Sequence, residues 1–446
     1  MLSWSATHGD PEGRQGPCTS STAFYLVLLP LTQWWVIPVA GIRASGADLL
    51  LTAVLGGALV KASTRGFRRR LSPGEWTLVA FGIWVMASAS WSLHPDYAAV
   101  RGVATLSLAL GVVALSRTVA SRESAMDAWL WGTALLLAVS LPLAVAASWV
   151  PALDGGILYR GGGVEGLPFS RLRGPLAHPN LLGDYLLVSG CILYIRWEEW
   201  YGSRRPIAVA MAVGGSGALL LTASSAWLAL GSVLALVAWR HTRRPWRTRA
   251  GSALSGMVLA AAVLFTASVA WALTQPMAVK VPWGTVSTDG NRWGIWSSAW
   301  QAVRTAPFMG VGSSPYLAET FHPYSLWDAH STYLSVAGQY GLVGLLLLLA
   351  GVGRLWWESR RLSPLASQGR GSHGSQPPAG WAPTVGLALL AAAVHGLVIS
   401  GEDFRHHWAL LALLAMRPGG PIGGGRVWKG AVSGEGHTGA PGGKTG

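Results

Sequence analysis

The sequence predicts an all-α protein, a polytopic transmembrane helix bundle of about 12 spans. Three observations predict it. Of 446 residues, 51% are hydrophobic and only 12% charged, where soluble domains carry about 25% charged residues. Apolar runs of about 20 residues, the length that crosses a bilayer as a helix, recur along the chain. Between them Lys and Arg gather in every second loop, as in the cytoplasmic connections of membrane proteins. Length alone suggests about three soluble domains, but the apolar runs make one membrane domain.

Residues 1–22 are polar, rich in Gly, Pro and Ser, and partly acidic. They lack the basic n-region of a signal peptide and are expected as a cytoplasmic tail. The expected spans lie at about 23–40, 45–60, 76–92, 98–116, 127–149, 181–197, 206–222, 225–240, 252–273, 331–352, 382–400 and 404–416, a membrane domain over 23–416. Residues 417–446 are Gly- and Pro-rich and are expected as a disordered cytoplasmic tail, and the stretch at about 363–380 as a flexible linker.

The basic residues test this order. With both termini inside, 24 of the 33 Lys and Arg fall on the cytoplasmic side, five of them in 61–70 and five in 240–249. The other nine, Arg43, Arg101, Arg160, Arg171, Arg173, Lys280, Arg292, Arg304 and Arg405, fall outside. Two outward segments are long, at about 150–180 and 274–330, and long loops concentrate function.

The net charge of +14 would suggest nucleic-acid binding in a soluble protein; its placement in membrane loops argues for no nucleic acid. Cys18 and Cys191 lie in a polar leader and an apolar run, so no disulfide framework is expected, and no metal-ligand cysteine spacing exists. A Walker A loop, a dinucleotide fingerprint, HExxH and GxSxG are all missing from the sequence, which removes the soluble nucleotide and hydrolase chemistries. No cofactor and no metal are expected.

In the second outward loop, Trp293, Trp296, Trp300 and Val303 recur at helical spacing. Asp289 or Asn291 is placed to cap the start, and Pro307, Gly310 and Gly312 to end it, predicting a short interfacial helix. Its tryptophans either anchor among lipid headgroups or stack on sugar rings. The loop ends at His330, where the tenth span begins. Helix N-termini favour anions and disfavour imidazolium, so His330 is expected to be neutral and able to accept a proton beside an anion site; the plainer alternative is a capping histidine. The first loop brings Arg160, Arg171, Arg173, His178 and Asn180 just before the sixth span. Arginine forks bind phosphate oxygens in bidentate fashion, so Arg171, Arg173 and Arg292 suit a pyrophosphate, or else anionic headgroups.

These residues resemble the O-antigen ligase and O-antigen polymerase superfamily of bacterial membrane glycosyltransferases. His330-Ser331, nine residues, then Gly341-Leu-Val-Gly344 is similar to the family's His-to-Gly signature. Arg292, Trp296, Pro307, Gly310 and Gly312 resemble its Arg, Trp, Pro, Gly-x-Gly stretch, and Arg173, Gly174, Pro179 and Asn180 an earlier Arg-to-Pro-Asn loop. Asp48 and Trp91-Ser92 with Pro95 are weaker matches. The resemblance covers about 45–416. It implies an undecaprenyl-pyrophosphate-linked oligosaccharide donor and a glycan acceptor at the outer face of the cytoplasmic membrane, with no metal or sugar nucleotide. It implies His330 as base or acceptor-positioning residue, and Arg292 and Arg173 as pyrophosphate holders.

One position departs from the family. Where it often has Thr-x-Ser-Arg, this chain reads Thr222-Ala-Ser-Ser225. Either Arg171 or Arg160 supplies the charge, or donor binding differs, or this member is catalytically altered. The competing reading is a non-enzymatic transporter or flippase of lipid-linked or small anionic solutes, which calls for polar residues buried within spans; Asp48, Asp184 and His395 are the few candidates.

Overall fold

A computed structural model describes residues 18–34, 36–39, 42–65, 70–119, 121–147, 149–150, 157–159, 171–176, 178–222, 224–242, 249–274, 279–281, 284–286, 292–314, 329–362 and 381–416. Its helices are α1 Cys18–Leu28, α2 Gly46–Arg65, α3 Pro73–Ala87, α4 Pro95–Thr118, α5 Arg122–Ala147, α6 Pro179–Ser203, α7 Arg205–Leu220, α8 Ser224–Thr242, α9 Arg249–Thr274, α10 Arg292–Thr305, α11 Thr332–Leu362, α12 Trp381–His395 and α13 Arg405–Ala415. Short antiparallel pairs join β1 Val36–Val39 to β2 Ile42–Ser45, β3 Leu158–Tyr159 to β4 Arg171–Leu172, and β5 Val279–Val281 to β6 Gly284–Val286.

Local chemistry starts and pairs these helices. Ser72 and Glu75 form a reciprocal capping box at the start of α3, with Pro73 in its first turn, so the orphan N–H groups there are satisfied from within. Glu75 is fully buried and takes both forks of Arg117 from α4, at 2.8 and 3.0 Å. A buried carboxylate persists only with such pairing. Farther along, Trp129 of α5 stacks on Tyr185 of α6 with ring centroids 5.6 Å apart. Phe81 of α3 lies between Tyr340 of α11 and Trp408 of α13.

Helix α11 is interrupted at Gly341, whose φ of 69° and ψ of −176° are not helical. The interruption frees backbone groups, and the turn after α10 takes them up. Leu342 N–H donates to the Pro307 carbonyl at 2.7 Å, and Val343 N–H to that of Phe308 at 3.3 Å. In return Val311 and Gly312 N–H donate to the carbonyls of Gly338 and Gln339 at 3.0 and 2.9 Å. The Tyr340 carbonyl accepts from Trp84 Nε1 at 2.8 Å, and Ser92 Oγ donates to the Ser313 carbonyl at 2.6 Å. Every group released by the break named here thus finds a partner. A Cβ at Gly341 would lie 2.1 Å from the Phe308 oxygen, and one at Gly310 2.3 Å from the Gln339 oxygen. Only glycine fits this contact.

Several expectations change. The first span, at 23–40, is not one helix: α1 stops at Leu28, a single 3-10 turn covers Thr32–Trp34, and β1 follows. Pro30 cannot donate to the helical ladder, and the Val36-Ile37 pair favours extended backbone. The described residues are mostly helical, as expected, with three short antiparallel strand pairs added; β3 and β4 lie in the first long loop, where Ile157 is helical. Among the described residues, four helices are long and apolar enough to cross a membrane: Gly46–Thr64, Pro95–Thr118, Arg122–Ala147 and Thr332–Arg361. Others are short; α13 has 11 residues, about 16 Å at 1.5 Å per residue. The tails and the 363–380 linker lie outside the described residues.

Gly341→Ala is expected to lose about 2 kcal/mol or more of stability, from positive-φ strain plus the backbone clash. Gly353→Ala, on the same helix with nothing within 4 Å, should be neutral or stabilising by up to about 1 kcal/mol. Detergent-solubilised thermal melts of the two variants check this; equal melting temperatures would contradict it.

Candidate functional site

Arg171 is buried and held by hydrogen bonds. It is 8% exposed, its Nε donates to the Thr222 carbonyl at 2.9 Å, and its Nη2 donates to Asn180 Oδ1 at 3.3 Å. The adjacent Leu172 N–H donates to the Leu221 carbonyl at 2.9 Å, so β4 is stitched to the turn between α7 and α8. That turn begins Thr222-Ala-Ser-Ser225, where the sequence comparison lacks an arginine. The Arg171 guanidinium occupies the same turn, which favours it as the source of the charge. Its partners fix its plane, as bidentate phosphate recognition requires.

His178 is the N-cap of α6: its Nδ1 accepts the Asn180 N–H at 3.2 Å. Its ring therefore has a structural task that accounts for its place. Arg173 is partly buried on the loop just before Gly174, a positive-φ turn residue.

His330 stands two residues ahead of α11 and is half-buried. Its φ of 44° makes it a non-glycine residue in the left-handed region, a conformation that costs roughly 1 kcal/mol or more and is held only by its surroundings. The hold comes from Thr332. Its N–H donates to the carbonyls of Gly396 and Ile399 at 2.8 and 2.9 Å. Its hydroxyl donates to Ile399 and accepts from the Gly401 N–H at 2.9 and 2.8 Å. This corrects the expectation of free N–H groups at the α11 start. Thr332 N–H is taken by the 396–399 turn, and Leu334 N–H lies 3.5 Å from Ser331 Oγ. The positive end of the helix remains, but its first donors are spent on the turn.

That turn supplies residues the sequence reading passed over. Glu402 is buried, accepts from Ser335 Oγ at 2.7 Å, and has its other oxygen without a hydrogen-bond partner among the described residues. Asp403 pairs with Arg101 of α4, and Glu402 lies 3.8 Å from the same guanidinium. Arg405 grips Asp48 of α2 through two contacts of 3.0 and 2.8 Å. Two of the nine basic residues expected outside, Arg101 and Arg405, are thus neutralised by carboxylates and are not spare anion binders. The signal was present in the sequence: GEDFRHH, between two apolar runs, packs five titratable residues into seven.

The two clusters are linked through one carboxylate. Asp184, one turn beyond Asn180 on α6, meets His395 Nδ1 at 2.5 Å, and the next residue, Gly396, receives the Thr332 N–H. Helix α10 joins the same end through Trp296, which packs with Trp227, Leu228 and Val398. Its tryptophan stripe is split, however. Ile295, Ala299, Ala302 and Val303 are buried while Trp300 is 55% exposed. Trp300 on the outer face fits an anchor in lipid. Arg292 opens α10; its side chain, Trp293's and all of Arg160 lie outside the described residues.

The fold and this cluster define a helical membrane protein with a basic, histidine-bearing end. Residues 209–349 match the family model described as O-antigen ligase. That segment, roughly a third of the chain, is similar to O-antigen ligases, a likeness that fits a membrane protein of polysaccharide biosynthesis. It contains Arg292, Pro307, Gly310, Gly312, His330, Gly341 and Gly344, but not Arg171, Arg173 or Glu402. No curated protein matches the chain.

Burial first, and then the Asp403 charge, push the Glu402 carboxyl up to about 7, against the opposing pull of Arg101. Its folded pKa exceeds its unfolded value, so its contribution to stability is full below about 4.5 and is lost as pH rises through about 7. Thermal melts should show the wild type gaining stability relative to Glu402→Gln as pH falls from 8 to 5. A difference that does not change with pH would contradict this.

Proposed function

We propose that this protein transfers or polymerises an undecaprenyl-pyrophosphate-linked glycan onto an acceptor sugar hydroxyl at the outer face of the cytoplasmic membrane. The observation that carries this reading is the position of His330. It lies within the O-antigen ligase match, at the start of the broken helix, over a turn that fixes it in a strained backbone conformation. The alternation of basic loops along the sequence supports this end lying outside, with both termini cytoplasmic.

In the proposed reaction, His330 accepts the proton of the acceptor hydroxyl as that oxygen bonds to the anomeric carbon of the donor. The bond from that carbon to the phosphate oxygen breaks, and the lipid pyrophosphate leaves as an anion. Arg292 and Arg173 hold that anion, with Arg171 supplying charge at the Thr222 turn. Positioning and neutralisation carry most of the acceleration, since the energy resides in the glycosyl phosphate. No metal ion and no sugar nucleotide enter this scheme. Asn180 positions Arg171, and His178 holds the α6 start that carries Asn180. Charged and histidine groups buried beneath the site, Asp184, His395 and His406, lie within two turns of a helix end and pair with one another, which fits an outer-face site better than a path across the membrane.

Purified protein with a lipid-pyrophosphate-linked oligosaccharide and acceptor should form product. His330→Ala should lower the rate about 100-fold or more, and Arg292→Ala should cut it strongly as well. Unchanged transfer in both variants would refute the assignment. Movement of the lipid-linked glycan across vesicles without any transfer would support a transporter or flippase instead.

A further inference from the structure

Beneath the proposed site, Asp184 is surrounded by three histidines from two other helices. His406 Nε2 lies 2.6 Å and His407 Nε2 2.5 Å from Asp184 Oδ2, while His395 Nδ1 lies 2.5 Å from Oδ1. Asp184, His395 and His406 are wholly buried. One ligand atom each from Asp184, His406 and His407 lie within 4.8 Å of one another.

Hydrogen bonding alone does not account for His407. Its Nδ1 faces the Gly401 carbonyl at 3.0 Å, and a carbonyl only accepts, so Nδ1 carries the proton. In a neutral imidazole Nε2 is then a bare lone pair, facing a carboxylate that also only accepts. A protonated Nε2 would pair by charge with Oδ2 at 2.5 Å, but among the described residues this nitrogen makes no hydrogen bond of good geometry. The nitrogen axis points to one side of the oxygen. Two ligand atoms that share a third body are arranged in this way, each aimed at the body and not at the other. Metal-bound histidines commonly donate the other ring N–H to a backbone carbonyl, as His407 does to Gly401.

We propose that Asp184, His406 and His407 form a structural site for a divalent transition ion of the zinc class, with His395 orienting Asp184 from its other oxygen. Imidazole and carboxylate donors suit zinc, with bonds of about 2.0–2.2 Å. Seating it requires the two nitrogen-to-oxygen spacings to open by less than about 1 Å. The ion also offsets the cost of a buried carboxylate. It pins α6, α12 and α13 together and so fixes the 396–404 turn on which Thr332 and His330 rest. The site goes beyond the proposed reaction, which routes no step through a metal.

The test uses the full chain, purified in detergent through an affinity tag free of histidine, and measures metal content by mass spectrometry. About one zinc per chain is expected, and X-ray absorption at the zinc edge should show a nitrogen and oxygen shell with two imidazoles. Chelation should lower the melting temperature, and zinc should restore it. Asp184→Asn and His407→Gln should each weaken zinc binding at least tenfold. Unmutated protein that holds no zinc above buffer, or an edge spectrum without imidazole scattering, overturns the proposal whether or not the variants fold. Both variants holding zinc as tightly as the wild type overturns it as well. None of these readings depends on glycan transfer, so failure here leaves the proposed function standing, and failure of transfer leaves the metal site standing.

Discussion

The break of α11 at Gly341 is the constraint on which the His330 end of this protein depends. A continuous helix would satisfy its own backbone and leave the turn after α10 without partners. The break instead exposes N–H and carbonyl groups in mid-helix, and the 307–312 turn meets them with four hydrogen bonds. Because the exchange is reciprocal, neither side is stable alone. Gly310 and Gly341 meet backbone to backbone, which fixes the end of α10 against the middle of α11. The N-terminal half of α11 is thereby held apart from its long C-terminal half, with His330 at its start.

From that fixed half-helix, order passes outward through small polar contacts. Thr332 binds the 396–401 turn with its backbone and hydroxyl. The turn carries Glu402 and Asp403 to Arg101 on α4, and Arg405 to Asp48 on α2. Its first residue follows His395, which holds Asp184 on α6. The start of α6 in turn carries Asn180 to Arg171, and Arg171 reaches the turn before α8. Helices far apart in sequence are thus joined at one end by charge-assisted bonds, while apolar packing joins them elsewhere.

Much of this was legible in the sequence. The apolar runs placed most helices, and the His330-to-Gly344 spacing marked the essential loop, because a mid-helix glycine pair after a histidine is a pattern a plain span does not need. The reason for that spacing was not legible, since it lies in backbone bonds to residues about 30 positions away. Arg171 was singled out, but its link to Thr222 bridges 51 residues and no local rule foretells it. His178 had the composition of a ligand and turned out to cap α6. The first span failed because its apolar residues include Pro30 and a Val-Ile pair, which hydropathy counts as favourable and backbone geometry does not. Glu402 was missed because one carboxyl in a short turn carries no period, although the density of charge in GEDFRHH marks that turn.

The central claim is that the outer end built on the broken α11 is where a lipid pyrophosphate binds. Electron cryo-microscopy of the protein with undecaprenyl pyrophosphate tests it most directly. The expected result is pyrophosphate density beside the guanidinium groups of Arg171, Arg173 and Arg292, with His330 facing the space where the sugar attaches. Pyrophosphate bound elsewhere, with His330 and these arginines untouched, would contradict it.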